Sequence, residues 1–192
     1  MRPMTGSDVE RAAAEMVSAL TPHIGRDWEA KAGSLDWTCW TTAAHVAHDL
    51  LGYAAQVAAL PSDGYLPLDL RVREAAPPEA VLQVVSAAAR LLGTAVDAAP
   101  ESARAWHWGP CDPGGFTAMG VAEILLHTYD IAQGLDLPWL PPAGLSALVL
   151  ARLFPDSPSG PAPEVLLWSA GRLALPTRPR RTTWSWRVSL TP

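Results

Sequence analysis

The sequence predicts a protein dominated by α-helices: a four-helix bundle followed by a proline-rich C-terminal extension of short helices and extended segments. Four long stretches combine helical periodicity with start and stop signals, whereas ten of the nineteen prolines lie in residues 136–192. The 192 residues, 49% of them hydrophobic, suffice for one buried core. We therefore expect a single domain in which residues 1–135 form the bundle and residues 136–192 pack on it.

Each long helix is delimited by capping residues or prolines. Ser7 and Glu10 have the spacing of a capping box, Gly25 fits the C-cap of the same helix, and Thr41 can cap the next one. Prolines bracket the third helix at both ends. The predicted helices span residues 7–25, 41–60, 78–99 and 116–133.

The connecting and C-terminal segments are more irregular. Loops 61–77 and 100–115 are rich in Pro, Gly and Asp. In the extension, short helical pieces are expected at 141–153 and at about 163–172. The final TTWSWRVSL alternates weakly, as an extended strand does.

Charge and cysteine usage limit the classes of partner. The net charge of −5 is uneven, since residues 172–192 hold five arginines and no acid; this +5 leaves −10 for residues 1–171. A basic tail can indicate nucleic-acid binding. Here, however, two tryptophans lie among the arginines and the rest of the chain is acidic, so we expect the tail to dock onto the rest of the protein. Cys39 and Cys111 are far apart and lack a CxxC partner, which indicates reduced thiols.

The expected location follows from the absence of targeting signals in the sequence. No apolar run approaches the ~18–20 residues that span a bilayer, and no apolar segment follows the arginine near the N-terminus, as a secretory signal would require. We expect a cytoplasmic protein, a monomer or a homodimer, with no nucleic-acid or membrane partner.

The fourth helix carries an ionisable stripe in apolar surroundings. At 100° per residue, Glu123, His127 and Asp130 share one face of a helix that is apolar nearly all round, which is typical of a buried helix. Buried ionisable groups are costly unless they are paired or metal-bound. The Glu-x3-His spacing lets one helix present two metal ligands, although spacing alone slightly favours a metal-free Glu–His hydrogen bond.

The second helix offers candidates for a third ligand. His45, His48 and Asp49 lie on its polar side, but the spacing does not choose between the two histidines. The same pattern is typical of an amphipathic helix with a solvated face. His23 and His107, at a helix end and in a loop, are interpreted as surface histidines.

Two stretches, LDWTCWTTAAHVAHDLLGYAAQ and AEILLHTYDIAQGL, resemble the N-terminal domain of the mycothiol-dependent maleylpyruvate isomerase family. Members show Trp-Ser/Thr with a metal-binding His eight residues after the Trp. Later they show Glu-x3-His, followed by an aromatic residue and Asp-Ile/Leu-Ala. LLWSAGR (166–172) is similar to a C-terminal segment of these proteins. The resemblance implies the DinB-like four-helix bundle, a metal-binding fold.

The two motifs imply a ligand set. Eight residues after Trp37 comes His45, and Glu123 and His127 match the second motif. The resemblance implies these three as ligands of a divalent metal, with zinc as the expected ion. Counting from the second tryptophan of the first stretch would instead nominate His48.

The resemblance also implies an activity. Two His and one Glu leave a coordination position open, as catalytic zinc sites do, and metal coordination deprotonates a thiol whose free pKa is about 8.5. The implied cofactor is a low-molecular-weight thiol such as mycothiol, and the implied partner is a small electrophilic substrate. The expected enzyme is a thiol-dependent S-transferase or an isomerase acting by reversible addition.

Five further residues are candidates for supporting roles. Asp130, Asp49 and His48 are candidate catalytic groups around the metal, and Arg71 and Arg73 are candidates for holding an anionic group of the cofactor. Each of the five also fits an ordinary structural or solvated role.

One departure from the family keeps other functions open. The prototype isomerase carries a substantial C-terminal α/β domain, whereas here only the proline-rich residues 136–192 follow the bundle. The alternative function is a non-catalytic metal- or small-ligand-binding bundle that serves in sequestration or resistance. A third is a metal-free structural or interaction domain.

Overall fold

Helices supply nearly all the regular structure in the computed structural model, which describes residues 2–189. Four long helices form a bundle and two shorter ones follow, so the predicted fold class is confirmed. The helices are α1 (Gly6–Leu20), α2 (Cys39–Ala59), α3 (Pro78–Ala98), α4 (Pro113–Gly134), α5 (Ala143–Leu153) and α6 (Ala162–Ser169). Before α4, a two-residue antiparallel ladder pairs β1 (Ala105–Trp106) with β2 (Pro110–Cys111).

Helix α4 is the core helix of the bundle. Helices α1 and α2 each pack against both α3 and α4, and α5 also packs on α4. Seventeen of the 22 residues of α4 are buried. Glu123, His127 and Asp130 are only 8%, 7% and 2% exposed, so the ionisable stripe is buried, as its apolar surroundings predicted.

The ends of α1 differ from the predicted ones. Its capping box lies two residues earlier, with Thr5 as N-cap and Asp8 accepting the Thr5 N–H at 3.1 Å. The α-helix ends at Leu20 and gives way to a short 3-10 turn. Pro22 has no N–H with which to continue the ladder, so Gly25 lies beyond the helix.

The segment that leads into α2 docks on the end of α4. Thr38, rather than Thr41, caps α2, and its Oγ1 accepts the Thr41 N–H at 3.1 Å. A Cβ on Gly134 would lie 2.7 Å from Cys39 Sγ, so the close approach of this segment to α4 requires glycine. The docking places Trp37 beside the ionisable stripe.

The extension packs through α5 on α4 and through α6 on α5. Its tail returns to α5, where the Arg187 N–H donates to Leu153 O at 2.8 Å and the Arg187 guanidinium pairs with Asp156 at 3.0 Å. Since the tail contacts a helix and not a strand, residues 182–189 form no β-ladder, in contrast to the weak strand prediction. Leu190, the last residue of that predicted strand, lies outside the described residues.

The apolar character of helix α3 bears on the expectation that the chain has no membrane-spanning segment. Of the helices within residues 2–189, it alone is long and apolar enough to cross a bilayer by length and composition, with a mean hydropathy of 1.3. This hydropathy is an average over a stretch that includes Gln83, Ser86 and Arg90, and not an unbroken apolar run. The finding is weak evidence for a membrane span, because the core helix of a soluble bundle passes the same test, and α3 packs against α1 and α2.

Candidate metal centre

Two helices bring three potential metal ligands together. Glu123 and His127 lie one turn apart on α4, and His45 faces them from α2. The Oε2 atom of Glu123 lies 3.1 Å from His127 Nε2 and 3.9 Å from His45 Nε2. All three donor atoms lie within 4.8 Å of one another. The pair on α4 is set by local spacing, whereas the third donor depends on how α2 packs against α4.

The donor group fits one divalent ion. Donors about 2.0–2.2 Å from a tetrahedral ion are roughly 3.4 Å apart, and the two distances to Glu123 Oε2, 3.1 and 3.9 Å, bracket that value. Two imidazoles and one carboxylate are also a donor set of catalytic zinc sites. Cys39 and Cys111 are buried free thiols outside the group, so the set consists of nitrogen and oxygen.

A second carboxylate and an arginine lie behind His127. His127 Nδ1 donates to Asp130 Oδ2 at 3.0 Å, which leaves Nε2 directed at Glu123. Arg172, which follows α6, donates to both Asp130 oxygens, from Nε to Oδ1 at 3.3 Å and from Nη2 to Oδ2 at 2.9 Å. Carboxylates that orient ligating histidines in this way are a recurring feature of metal sites. The C-terminal extension therefore contributes to the geometry of the donor group.

Charge is distributed unequally over the two histidines. Burial disfavours the imidazolium of His127, but the hydrogen bonds and charges of Asp130 and Glu123 outweigh it and raise its pKa to about 9. Burial, together with the charge on His127, lowers the pKa of His45 to about 4. Burial alone would raise the pKa of Glu123, yet the hydrogen bond from His127 keeps it below its ordinary value. At neutral pH, His127 carries the positive charge and His45 is neutral.

Asp49 adjoins the donor group without belonging to it. Its Oδ2 lies 3.2 Å from His45 Nε2, one helical turn along α2. Burial and the nearby Glu123 carboxylate raise the pKa of Asp49 to about 8. In the metal-free protein Asp49 therefore holds its proton at neutral pH, next to the neutral imidazole of His45.

The structure does not bring the other predicted residues to the donors. His48 points elsewhere on α2, with Nδ1 lying 2.8 Å from Leu70 O, so His45 and not His48 joins the group. Arg71 and Arg73 are exposed on the 61–77 loop. They line a groove of about 600 Å³ whose other wall includes His48, and Arg71 pairs with Asp69 at 2.7 Å.

Two residues near the site were missed or misread in the sequence. The Trp37 ring lies 4.7 Å from that of His45 and 6.3 Å from that of His127, measured between centroids. In the sequence, Trp37 served only as the start of the family motif and was not predicted to contact the site. His107, interpreted as a surface histidine, is 7% exposed. It packs edge-on against Tyr53 at 5.4 Å because the β1–β2 hairpin folds onto α2. That interpretation was wrong.

We expect the pKa of His127 to depend on Asp130. In metal-free protein His127 should titrate near pH 9, and Asp130→Asn should lower this pKa toward the ordinary 6.5, because one of two facing carboxylates is removed. Since the folded-state pKa is raised, the stabilisation from the charged ring is complete below about pH 6.5 and is lost as the pH rises through about 9.

NMR titration of the histidine ring signals measures this pKa. Asp63→Asn, at an exposed loop position, is the control and should leave it unchanged. The same pKa in wild-type protein and in Asp130→Asn would contradict the arrangement described here.

Comparison with known proteins assigns the chain to a family. The family model of the mycothiol maleylpyruvate isomerase N-terminal domain matches residues 8–132, which span the four bundle helices except their outermost ends and contain all three donors. Neither a curated protein nor a solved structure matches the chain. The matched region is well over half of the chain and has the DinB-like helical fold. The chain therefore belongs to the mycothiol maleylpyruvate isomerase N-terminal domain family.

Proposed function

We propose that the protein is a metal-dependent enzyme that activates a low-molecular-weight thiol for addition to, or isomerisation of, a small electrophile. The observation that carries this proposal is the convergence of His45, Glu123 and His127 between α2 and α4. Membership of a family named for a mycothiol-dependent isomerase supports the choice of chemistry. We propose zinc as the ion, mycothiol or a similar thiol as the cofactor, and the cytoplasm as the location.

The three donors would hold the metal through His45 Nε2, His127 Nε2 and a Glu123 carboxylate oxygen. When bound, a divalent metal keeps a thiol sulfur in its nucleophilic thiolate form at neutral pH. Asp130 holds the proton on His127 Nδ1 and so presents the lone pair of Nε2 to the site. Arg172 keeps Asp130 ionised and in place through its two hydrogen bonds.

Asp49 is the proposed proton donor. Addition of a thiolate to an activated alkene forms a carbon–sulfur bond, and the adjacent carbon then takes up a proton. In the metal-free protein, burial and the Glu123 carboxylate raise the pKa of Asp49 to about 8, and its Oδ2 lies 3.2 Å from His45 Nε2. A general acid is most effective when its pKa lies near the working pH, and the burial of Asp49 shifts its pKa in that direction.

The groove of about 600 Å³ is the proposed location of the polar part of the thiol cofactor. Arg71, Arg73 and His48 line it. Exposed guanidinium groups suit anionic or hydroxyl-rich groups. His48 is bound to Leu70 O, and we propose it as a wall of the groove and not as an acid or base.

We expect removal of either ligand histidine to abolish tight metal binding. His45→Ala and His127→Ala should each weaken zinc binding by more than about 100-fold, since loss of an orienting partner alone costs about 10–100-fold. His48→Ala, on the same helix but outside the donor group, should stay within about threefold of wild type. Competition with a chromophoric zinc chelator at fixed pH measures the affinities. Equal losses in His48→Ala and His45→Ala would contradict the assignment of the ligands.

We expect the zinc-loaded protein to accelerate addition of a small thiol to an activated alkene, and the metal-free protein not to do so. Asp49→Asn should lower kcat by about 10²–10⁴-fold, as loss of a general acid does, without loss of bound zinc. Asp63→Asn is the matched control and should keep wild-type activity. The assay follows loss of the alkene absorbance.

The same assay separates the enzyme from its alternative. A protein that binds zinc stoichiometrically through these ligands and gives no acceleration with any thiol would be a non-catalytic binding bundle. A protein that binds no zinc would contradict the enzyme and the metal-binding form of the alternative, and would favour a small-ligand-binding bundle or a metal-free structural domain.

A further inference from the structure

A cavity of about 290 Å³ is lined by Asp49, the residue next to the candidate metal centre. Asp49 connects the two, because its Oδ2 lies 3.2 Å from His45 Nε2 while its side chain lines the cavity. The larger groove with Arg71 and Arg73 lies on the other side of His48, which lines both spaces. Of these two spaces, the smaller cavity is thus the one lined by Asp49, the proposed proton donor.

Part of the wall of this cavity consists of aromatic rings that pack against one another. The His107 ring lies 5.4 Å from Tyr53 and 5.8 Å from Tyr65, both nearly edge-on, and Phe116 packs against it at 6.1 Å. Tyr53 is only 7% exposed. Such a wall favours the flat face of a planar molecule, since aromatic rings prefer edge-to-face or offset contacts.

The one amide that lines the cavity is engaged in supporting it. Gln56 Nε2 donates to Trp106 O at 2.8 Å and to Gly64 O at 3.2 Å, and its Oε1 accepts the Leu66 N–H at 2.9 Å. These three bonds tie the loop and the β1–β2 hairpin to α2. The amide of Gln56 therefore has no hydrogen left for a ligand, and the remaining polar groups are tyrosine hydroxyls, imidazoles and the Asp49 carboxyl.

No lysine or arginine lines the cavity within residues 2–189. Arg172 is held by Asp130, and Arg71 and Arg73 belong to the other groove. Asp49 offers no positive charge in either protonation state. A carboxylate placed in the cavity would lose part of its hydration without gaining a lysine or arginine partner, which is unfavourable.

We propose that this cavity binds the electrophile, and that the electrophile is a small, uncharged, planar molecule such as a conjugated or aromatic carbonyl compound. This inference rests on the proposed function, because it names the substrate class of the same site. It separates this chain from the compound in the family name, since maleylpyruvate carries two carboxylates. The volume fits one substituted six-membered ring, because a cavity of about 150 Å³ already holds benzene.

Two matched probes test the proposal by equilibrium binding to the metal-free, full-length protein. The probes are 4-methylphenol and 4-hydroxybenzoate, which share a ring and a hydroxyl and differ in a methyl group or a carboxylate. We expect calorimetry to give at least a tenfold lower Kd for 4-methylphenol. Absence of zinc prevents the carboxylate from being held by the metal, so the comparison reports the cavity alone.

Two substitutions locate the probe and its charge preference. Gly52 lines the cavity, and a Cβ there would meet open space, so Gly52→Leu should fill the cavity and weaken 4-methylphenol binding at least tenfold. Leu68→Lys places a cation in the wall at a residue already 40% exposed. It should tighten binding of 4-hydroxybenzoate at least fivefold. Leu91→Lys, at an exposed leucine on α3 outside the cavity, is its control.

Three results would overturn the proposal: tighter or equal binding of 4-hydroxybenzoate by the wild type, no binding of either probe, or unchanged 4-methylphenol binding in Gly52→Leu. None of these depends on zinc. Failure of the protein to bind zinc or to catalyse thiol addition would therefore overturn the proposed function separately, and the two failures are distinguishable.

Discussion

The pairing of three ionisable side chains on the buried face of α4 is the constraint on which the rest of the site depends. Glu123, His127 and Asp130 are each less than 9% exposed, and unpaired charges at such positions would destabilise the fold by several kcal/mol. Three other parts of the chain therefore meet this face. Helix α2 brings His45, the segment before α2 brings Trp37, and the C-terminal extension brings Arg172.

Arg172 gives the C-terminal extension a role at the site. Arg172 lies outside the region matched by the family model, yet it holds both oxygens of the carboxylate that orients His127. The short extension therefore contributes a residue to the surroundings of the donor group. In metal-free protein, the His127 imidazolium lies between two carboxylates. A bound metal would replace the proton between His127 and Glu123, which couples metal binding to proton release.

The sequence predicted the features that depend on local spacing. Helix periodicity located all four bundle helices, and the Glu-x3-His spacing identified the pair on α4. Cap positions were less predictable, because Thr38 and Thr41 are both good capping residues and only the packing of the preceding segment against α4 selects the first. His45 and His48 share the polar side of α2, so the family motif favoured His45 where spacing alone could not.

Contacts between residues far apart in the chain could not be predicted from the sequence. Arg172 meets Asp130 from 42 positions away, and nothing local to LLWSAGR specifies that contact. His107 was assigned to the surface because loops are usually exposed, whereas the hairpin that carries it is folded onto α2 by the bonds of Gln56. The aromatic cavity follows from the same tertiary packing.

The most direct measurement is a crystal structure of the zinc-loaded protein with anomalous data collected at the zinc edge. A single strong peak about 2.0–2.2 Å from His45 Nε2, His127 Nε2 and a Glu123 oxygen, with Asp130 and Arg172 still bonded behind His127, is the expected result. A peak at the cysteines, at the surface histidine His23 or at His48, with Glu123 and His127 still hydrogen-bonded to each other, would show that α4 carries a structural ion pair and no metal ligands.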